Sequence, residues 1–403
     1  MHILLIHQAF TAINEPGGTR HHEFARFLAE SGHKVSIIAS PVSYLTGKKN
    51  QNRDVGFDME GKITIYRAYT YPALHKSFIH RLFSFISFMV SSFIISLKIK
   101  KVDLVWGTSP PIFQSFTAWI ISKLKRIPFL LEVRDLWPAF AVAVGVLNNK
   151  ILIRLSLWLE RFLYHRADKL IVNSPGFINH IETKGGANIS LIPNGADPDA
   201  FITVNPELSR KKLGWSEDFV FLYAGAHGMS NDLPVIIQAA KLIEPNNKIK
   251  FVFIGDGKEK NNLIVLAESL DLTNVEFIDP VPKNEISEYL LASDVCVAIL
   301  KPIELYKTTF PNKVFDYMAV GKPILLAIDG VIRDVVESAG CGLFCQPGDP
   351  HAFADTAIRM YNERDQMEKM GSRGKTYLEQ NFDRKIIAKQ FVDMIKQIVV
   401  KNG

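Results

Sequence analysis

Short apolar runs recur along this chain with helical spacing between most of them, and they fall into two sets. The first set runs from Ile3 to His7, Val35 to Ala39, Ile63 to Arg67, Leu104 to Trp106, Phe129 to Val133 and Lys169 to Val172. The second runs from Phe219 to Tyr223, Lys250 to Ile254, Val275 to Ile278, Val295 to Ile299 and Pro323 to Ala327. Near-continuous apolar strands alternating with helices suit βαβ units on a parallel sheet covered on both faces. Between the sets, "LIPNGADPDAFITVNPELSRKKLGW" is rich in Pro, Asn, Asp and Gly and breaks both periodicities, which places a linker near residues 196–214. The expected fold class is therefore α/β, with two Rossmann-like doubly wound halves. A chain of 403 residues agrees with that, being too long for one compact core. A cleft between the halves is the expected ligand site.

Composition narrows the partner. With 47% hydrophobic and 22% charged residues and no low-complexity run, the chain is globular. A formal charge of +6 favours an anionic partner, which charge alone leaves open among a phosphate-bearing ligand, an acidic membrane surface and nucleic acid. Cys296, Cys341 and Cys345 are too few and scattered for a zinc site or a disulfide framework, and read as reduced packing residues in a cytoplasmic protein. The opening "MHILLIHQAF" lacks a basic n-region and reads as a strand, not a secretory signal.

One stretch does not suit a soluble core. "LHKSFIHRLFSFISFMVSSFIISLKIKK" places sixteen uncharged residues between Arg81 and Lys98, five of them serine. That is short of the roughly 20 residues a span needs, so crossing is not expected. Two readings stand: a helix lying in the membrane interface, with His80, Arg81, Lys98, Lys100 and Lys101 near anionic lipid, or a helix buried against the sheet. A second basic and aromatic helix, "KILIRLSLWLERFLYHR", favours the first and marks residues 76–101 as an anionic-membrane contact.

Several motifs carry chemistry. In "NEPGGTRHHEFARFLAESGHKVSII", Gly17 and Gly18 precede an amphipathic helix, where a close backbone and free N–H groups can receive an anion, or simply make a turn. The spacing does not match G-x-G-x-x-G, which disfavours a dinucleotide dehydrogenase. Of His21 and His22, adjacent on a helix, at least one is expected at the surface. In "FLLEVRDLWPAF", Glu132, Arg134 and Asp135 follow a strand at the end where open α/β sheets bind ligands, although Asp135 can also serve as a cap. Gly255 and Gly257 of "FVFIGDGKEK" either shape a cleft floor or only turn the chain. Asp197 and Asp199 flank a proline in the linker and read as a turn, so no metal is assigned. In "TTFPNKVFDYMAVGKPIL", Pro311 positions Lys313 near a helix start and Asp316 lies three residues on, along nearly the same face, with Gly321 ending the helix. A lysine suits diphosphate oxygens and a short carboxylate suits paired ribose hydroxyls.

Taken in order, "PGGTRHHEFARFLAESGHKV", "EVRDLWP", "LIPNGADPDAF", "FVFIGDGKEK", "VPKNEISEYLLASDVCVAIL" and "FPNKVFDYMAVGKPIL" resemble the retaining GT-B glycosyltransferases of family 4, especially the bacterial branch that builds O-antigen, lipopolysaccharide and capsule. The resemblance covers essentially the whole chain. It implies an acceptor-binding domain over 1–195, with the C-terminal helix of about 383–403 packing back on it, and a nucleotide-sugar-binding domain over 196–382. It further implies a hexosyltransferase with no cofactor and no essential metal, a UDP-sugar donor and a polyprenyl-diphosphate-linked saccharide acceptor at the cytoplasmic membrane face, and no nucleic-acid partner. Transferases of N-acetyl-fucosamine or similar deoxyamino sugars look closest. On this reading Lys313 holds the donor diphosphate and Asp316 the ribose, Gly17 and Gly18 approach the donor phosphates, and Arg134 and Asp135, with Glu132 behind them, orient donor sugar or acceptor.

There are two departures from the family pattern. Its two glutamates separated by seven residues fall on Thr308 and Asp316, so the first carboxylate is absent, and Glu304 can replace it only if the loop bends back. Its Arg and Lys diphosphate pair is replaced in "YAGAHGMSNDLP" by His227, Gly228 and Asn231, which with Gly255 complete the expected donor site. Two rivals follow: a UDP-sugar epimerase of the same architecture, which would need no lipid contact, and a non-catalytic nucleotide-binding scaffold subunit.

Overall fold

A computed structural model describes residues 1–11, 19–42, 61–72, 78–201, 205–243, 248–282 and 285–402. The chain divides into two compact units, Met1–Pro193 with Ile386–Gly403, and Asn194–Lys385. The first is built on a seven-stranded sheet of order β3-β2-β1-β4-β5-β6-β7. Its strands are β1 (His2–Ile6), β2 (Lys34–Ala39), β3 (Ile63–Arg67), β4 (Leu104–Ser109), β5 (Phe129–Val133), β6 (Lys169–Val172) and β7 (Ile189–Leu191). The second holds a six-stranded sheet of order β10-β9-β8-β11-β12-β13. Its strands are β8 (Phe219–Ala224), β9 (Ile249–Ile254), β10 (Val275–Ile278), β11 (Val295–Ile299), β12 (Ile324–Ala327) and β13 (Gly342–Phe344). Every neighbouring pair is parallel. The class is the expected one, two Rossmann-like doubly wound α/β domains.

Strands β1, β4 and β5 are buried at every position, as parallel strands between two helical layers must be. In the second unit the period of two sorts β8 between two cores. Phe219, Phe221 and Tyr223 join Phe251, Phe253 and Phe353 on one face, while Val220 and Leu222 join Trp215, Phe315 and Leu326 on the other. Strands β7 and β13 carry no signal in the sequence, because each has three residues and lies half-exposed at a sheet edge. Part of the stretch expected as a linker is a helix, Pro206–Leu213. Asn205 caps it by accepting from the Leu208 amide at 3.1 Å, and Gly214 closes it at φ +74°.

In each sheet the unit's first strand lies in the middle, with its second and third to one side and its fourth to the other. Connections therefore diverge between β1 and β4 and between β8 and β11, and the crevice opens outside the carboxyl ends of those strands. Within the first unit the C-terminal helix Arg384–Asn402 sets Phe391 against Phe24 and Trp106, with ring centroids 4.4 and 4.9 Å apart.

The apolar stretch forms a helix of 21 residues, Phe78–Lys98. Among the described residues it is one helix long and apolar enough to cross a membrane, which corrects the expectation that it falls short in length. One face of it packs on the first unit. Ser84, Phe88, Ser92 and Ser96 are buried, and Phe85 stacks on Phe113 of the helix Ile112–Lys125 at 5.3 Å. The opposite face exposes Phe83, Ile86, Val90, Ile94 and Leu97.

Candidate functional site

The second unit gathers its predicted residues at the carboxyl ends of β8 and β9. Lys313 is the second residue of the helix Asn312–Ala319, behind Pro311. That helix is pinned one turn later by Tyr317, whose hydroxyl accepts from the Ala224 amide at 3.3 Å and lies 3.3 Å from the Val297 carbonyl. The Lys313 ammonium consequently sits 3.6 Å from the centre of the Tyr223 ring, buried and, among the described residues, without a hydrogen-bond partner. A ring face attracts a cation but cannot replace its hydrogen bonds. Burial brings the Lys313 pKa down to about 7.

His227 is fully buried among Tyr223, Phe253 and Phe277, and neither ring nitrogen has a partner among the described residues. Burial first, then Lys260 and Lys313, lower its pKa to about 4, so the imidazole is neutral at pH 7. The two strand-end loops lie backbone against backbone. Gly225 N–H donates to the Ile254 carbonyl at 2.9 Å and His227 N–H to that of Asp256 at 2.9 Å. This approach requires glycine at two positions. Gly255, at φ +142°, has room for no side chain, since a Cβ would lie 2.0 Å from the Gly225 oxygen. At Gly225, φ +148°, a Cβ would meet the Lys313 ammonium at 2.8 Å. Asn231 braces the same loop, its Nδ2 donating to the Ala226 carbonyl at 2.9 Å. Asp316 is half-buried one turn beyond Lys313.

Thr308 and Glu304 belong to the 3₁₀ turn Glu304–Thr308. The Thr308 hydroxyl donates to the Leu305 carbonyl at 2.7 Å. Glu304 pairs with Lys307 at 2.9 Å and its side chain is 85% exposed, so it does not bend back to supply the absent carboxylate.

The first unit collects Glu132, Arg134 and Asp135 at the ends of β4 and β5. Glu132, within the buried β5, accepts from Arg20 Nε and His21 Nε2, both at 2.7 Å, and from Trp106 Nε1 at 3.1 Å. Burial opposes its charge, but His21 and Arg20 outweigh that and hold the carboxyl well below the usual range. Glu132 is fully buried with these three donors in contact. The Arg20 guanidinium also donates to the carbonyls of Pro193 at 2.8 Å and Ile192 at 2.7 Å. Arg134 Nε donates to Thr108 Oγ1 at 3.1 Å and Nη2 to the Pro110 carbonyl at 2.8 Å, which fixes its side chain across the end of β4. Burial raises the Asp135 pKa to about 6, with Arg134 pulling the other way, so this carboxyl can hold or release a proton near neutrality. Neither His21 nor His22 is at the surface, against expectation, because Phe10 and Trp106 cover that end of the helix Arg20–Glu30. Gly17 and Gly18 lie outside the described residues.

Asp197 and Asp199 are engaged locally. Asp197 accepts from the Asp199 amide at 3.0 Å, and Asp199 pairs with Lys385 at 2.8 Å. The three cysteines are buried and unpaired. Sequence reasoning missed Arg20, Tyr223, Gly225 and Tyr317. Gly225 had a signal, a glycine directly after an apolar strand; the others read as ordinary helix or core residues.

Comparison with known proteins agrees with this geometry. Residues 17–195 match the model of the glycosyl transferase 4-like domain, and residues 205–377 that of the glycosyl transferases group 1. A "Probable glycosyltransferase WbjE" of Pseudomonas aeruginosa is 25% identical over 76% of this chain and 79% of its own length. WcaI of Escherichia coli (strain K12), named as a colanic acid biosynthesis glycosyl transferase, is 24% identical over 93% of this chain and 94% of its own. In fold, the chain is similar to a sucrose-phosphate synthase from Thermosynechococcus elongatus, with TM-score 0.80, 18% identity and 99% of both chains covered. It is likewise similar to Anabaena HepE in complex with UDP and glucose, with TM-score 0.74, 16% identity, and 98% and 100% covered. With a 4-like domain followed by a group 1 domain on a GT-B fold, the chain belongs to the family 4 glycosyltransferases.

Proposed function

We propose that this chain is a retaining, metal-independent hexosyltransferase that moves a sugar from a UDP-linked donor to a polyprenyl-diphosphate-linked saccharide in bacterial surface polysaccharide synthesis, an O-antigen or capsule among them. The observation that carries the reading is the Lys313 ammonium, buried beside two backbone-on-backbone glycine loops and without a hydrogen-bond acceptor among the described residues. A diphosphate supplies the missing charge and acceptors. The name of WcaI, a colanic acid biosynthesis glycosyl transferase, supports the setting, and an N-acetyl-deoxyamino sugar is the donor we favour.

The roles follow from position. Lys313, with Asn231, His227, Gly225 and Gly255 shaping its surroundings, holds the diphosphate and Asp316 the ribose. As the glycosidic bond to phosphate breaks, Lys313 offsets the charge on the departing diphosphate. Arg134 and Asp135 orient sugar or acceptor, and Glu132 holds the helix Arg20–Glu30 behind them. Gly17 and Gly18 remain proposed donor contacts. The acceptor hydroxyl attacks from the face the diphosphate leaves, through an oxocarbenium-like state, and retention follows. The lipid-linked acceptor places the enzyme on the inner face of the cytoplasmic membrane, with the exposed stripe of the helix Phe78–Lys98 against anionic lipid.

The test is a set of UDP-sugars offered with a short polyprenyl-diphosphate saccharide, read by mass spectrometry of the lipid and by NMR of the new linkage. Acceptor extended by one α-linked hexose from an α-linked donor is expected. Donor epimerised without acceptor would replace this reading by the epimerase, and nucleotide that neither binds nor turns over would replace it by the scaffold.

A further inference from the structure

Three helices of the first unit form one layer. The middle one, Ile112–Lys125, touches Phe78–Lys98 through Phe113 and Phe85, and touches Lys150–Arg166 through Phe116 and Trp119, whose rings lie 6.2 and 4.7 Å from that of Phe162. Each outer helix then leaves an apolar stripe that the described residues do not cover. On Phe78–Lys98 it is Phe83, Ile86, Val90, Ile94 and Leu97. On Lys150–Arg166 it is Ile151, Leu155 and Trp158, which are 71%, 57% and 59% exposed. Both stripes step by three and four residues, the spacing of one helix face. A globular protein rarely leaves two such stripes on one layer without a partner.

Charge selects the partner. The three helices carry one carboxylate between them, Glu160, which is fully buried and bonded to Tyr164, His180 and Lys184. Beside the second stripe Arg154, Arg161 and Arg166 are exposed, with Arg166 over the Phe162 ring at 5.6 Å and Trp158 stacked on the same ring at 5.5 Å. A hollow of about 500 Å³ lies there, lined by Trp158, Arg161, Phe162, His165 and Arg166. A second copy of this chain meeting that face about a two-fold axis would set its basic rim against an identical one. An anionic lipid surface complements it, with phosphates at the guanidinium groups and the indole at the headgroup boundary.

We propose that the helix Lys150–Arg166 is a second membrane-contact element, seating Ile151, Leu155 and Trp158 in the lipid interface and Arg154, Arg161 and Arg166 among anionic phosphate headgroups. This rests on the membrane reading above and extends it from one helix to a two-railed face. Either rail alone binds weakly and reversibly, and the pair holds the unit in one orientation.

The test is co-sedimentation of the full chain with phosphatidylcholine vesicles with and without phosphatidylglycerol. The variants are Arg154→Glu/Arg161→Glu/Arg166→Glu and Ile151→Ser/Trp158→Ser. Circular dichroism and thermal unfolding confirm that each is folded. Wild type should bind the anionic vesicles, and the triple charge reversal should weaken that binding about a hundredfold or more, since each basic group contributes about a fivefold factor. The apolar double variant should weaken it too. Wild type that ignores all vesicles overturns the membrane reading and this inference together. Wild type that binds while both folded variants bind equally well overturns this helix alone. A wild-type dimer that the variants convert to monomer, with vesicle binding unchanged, reassigns the face to self-association.

Discussion

At the strand ends of the first sheet a buried carboxylate is met by three donors, whereas at those of the second a buried ammonium is met by no acceptor among the described residues. Glu132 has Arg20, His21 and Trp106 in contact. Lys313 has one aromatic ring and, among the described residues, no acceptor. The sheets share their strand order about the switch point, so topology does not separate them. What separates them is compensation. A paired buried charge is an element of construction, and its removal should be felt in folding. An unpaired one costs stability in the empty protein and is explained by a ligand that completes it. The comparison can therefore be broken from either side.

The largest effect should come from the compensated side. Glu132→Ala takes the carboxylate from Arg20 Nε, whose side chain is 10% exposed, and from His21 Nε2. Losing one member of a buried pair costs about 3–5 kcal/mol, so urea unfolding of the variant should show a loss of that size. A loss below about 1 kcal/mol would mean that the cluster does not hold the unit together. Next in size is Gly255→Ala. The added carbon meets the Gly225 oxygen at 2.0 Å in a backbone region that alanine avoids. The two loops must part, with about 1–3 kcal/mol of destabilisation and loss of UDP binding by calorimetry. Unchanged affinity would detach the glycine loops from the donor site.

The parts of this molecule that periodicity controls were legible beforehand, and those assembled across the chain were not. Buried strands such as Phe129–Val133 announce themselves, because two helical layers demand apolar residues throughout. The edge strands Ile189–Leu191 and Gly342–Phe344 have no such demand and left no trace. Lys313 was legible as a lysine after a helix-starting proline. Its isolation was not, since that depends on Tyr223, on a strand ninety residues earlier in sequence. The partners of Glu132 were illegible for the same reason: Arg20 and His21 are contributed by a helix from the far end of the unit. The Phe78–Lys98 helix failed differently. Counting uncharged residues missed the helix's first turn and could not foresee that Ser84, Ser92 and Ser96 face inward.

The uncompensated side predicts the opposite sign. Lys313→Met removes a buried ammonium without acceptors while keeping most of its length, so the empty protein should gain about 1–3 kcal/mol by thermal or urea unfolding. UDP affinity should fall more than tenfold in the same variant. A destabilised variant would show that Lys313 is built into the fold as Glu132 is, and the contrast between the two sheets would dissolve.

The smallest effect is the most specific, because it isolates the charge from the side chain. With its pKa near 7, Lys313 is about half charged in the empty protein at neutral pH and largely neutral by pH 9. A bound diphosphate raises that pKa, so binding takes up a proton whenever the empty site lacks one. Between pH 7 and 9 the dissociation constant for UDP should then rise by up to tenfold per unit, about 1.4 kcal/mol. Below pH 7 the site is already charged and this dependence fades, although protonation of the nucleotide's own phosphate, near pH 6, enters there. His227, lowered to about 4, stays neutral throughout the window and adds nothing. Measuring binding instead of turnover also keeps Asp135, which titrates near 6, out of the profile. Calorimetry in buffers of different ionisation enthalpy counts the protons directly, and Lys313→Arg, charged at every pH used, should bind with a flat profile. A flat profile in the wild type would place a charged Lys313 in the empty pocket or the diphosphate elsewhere, and the Arg variant separates these: if its affinity matches wild type the charge was already present, and if neither substitution at 313 alters UDP affinity the diphosphate is not there.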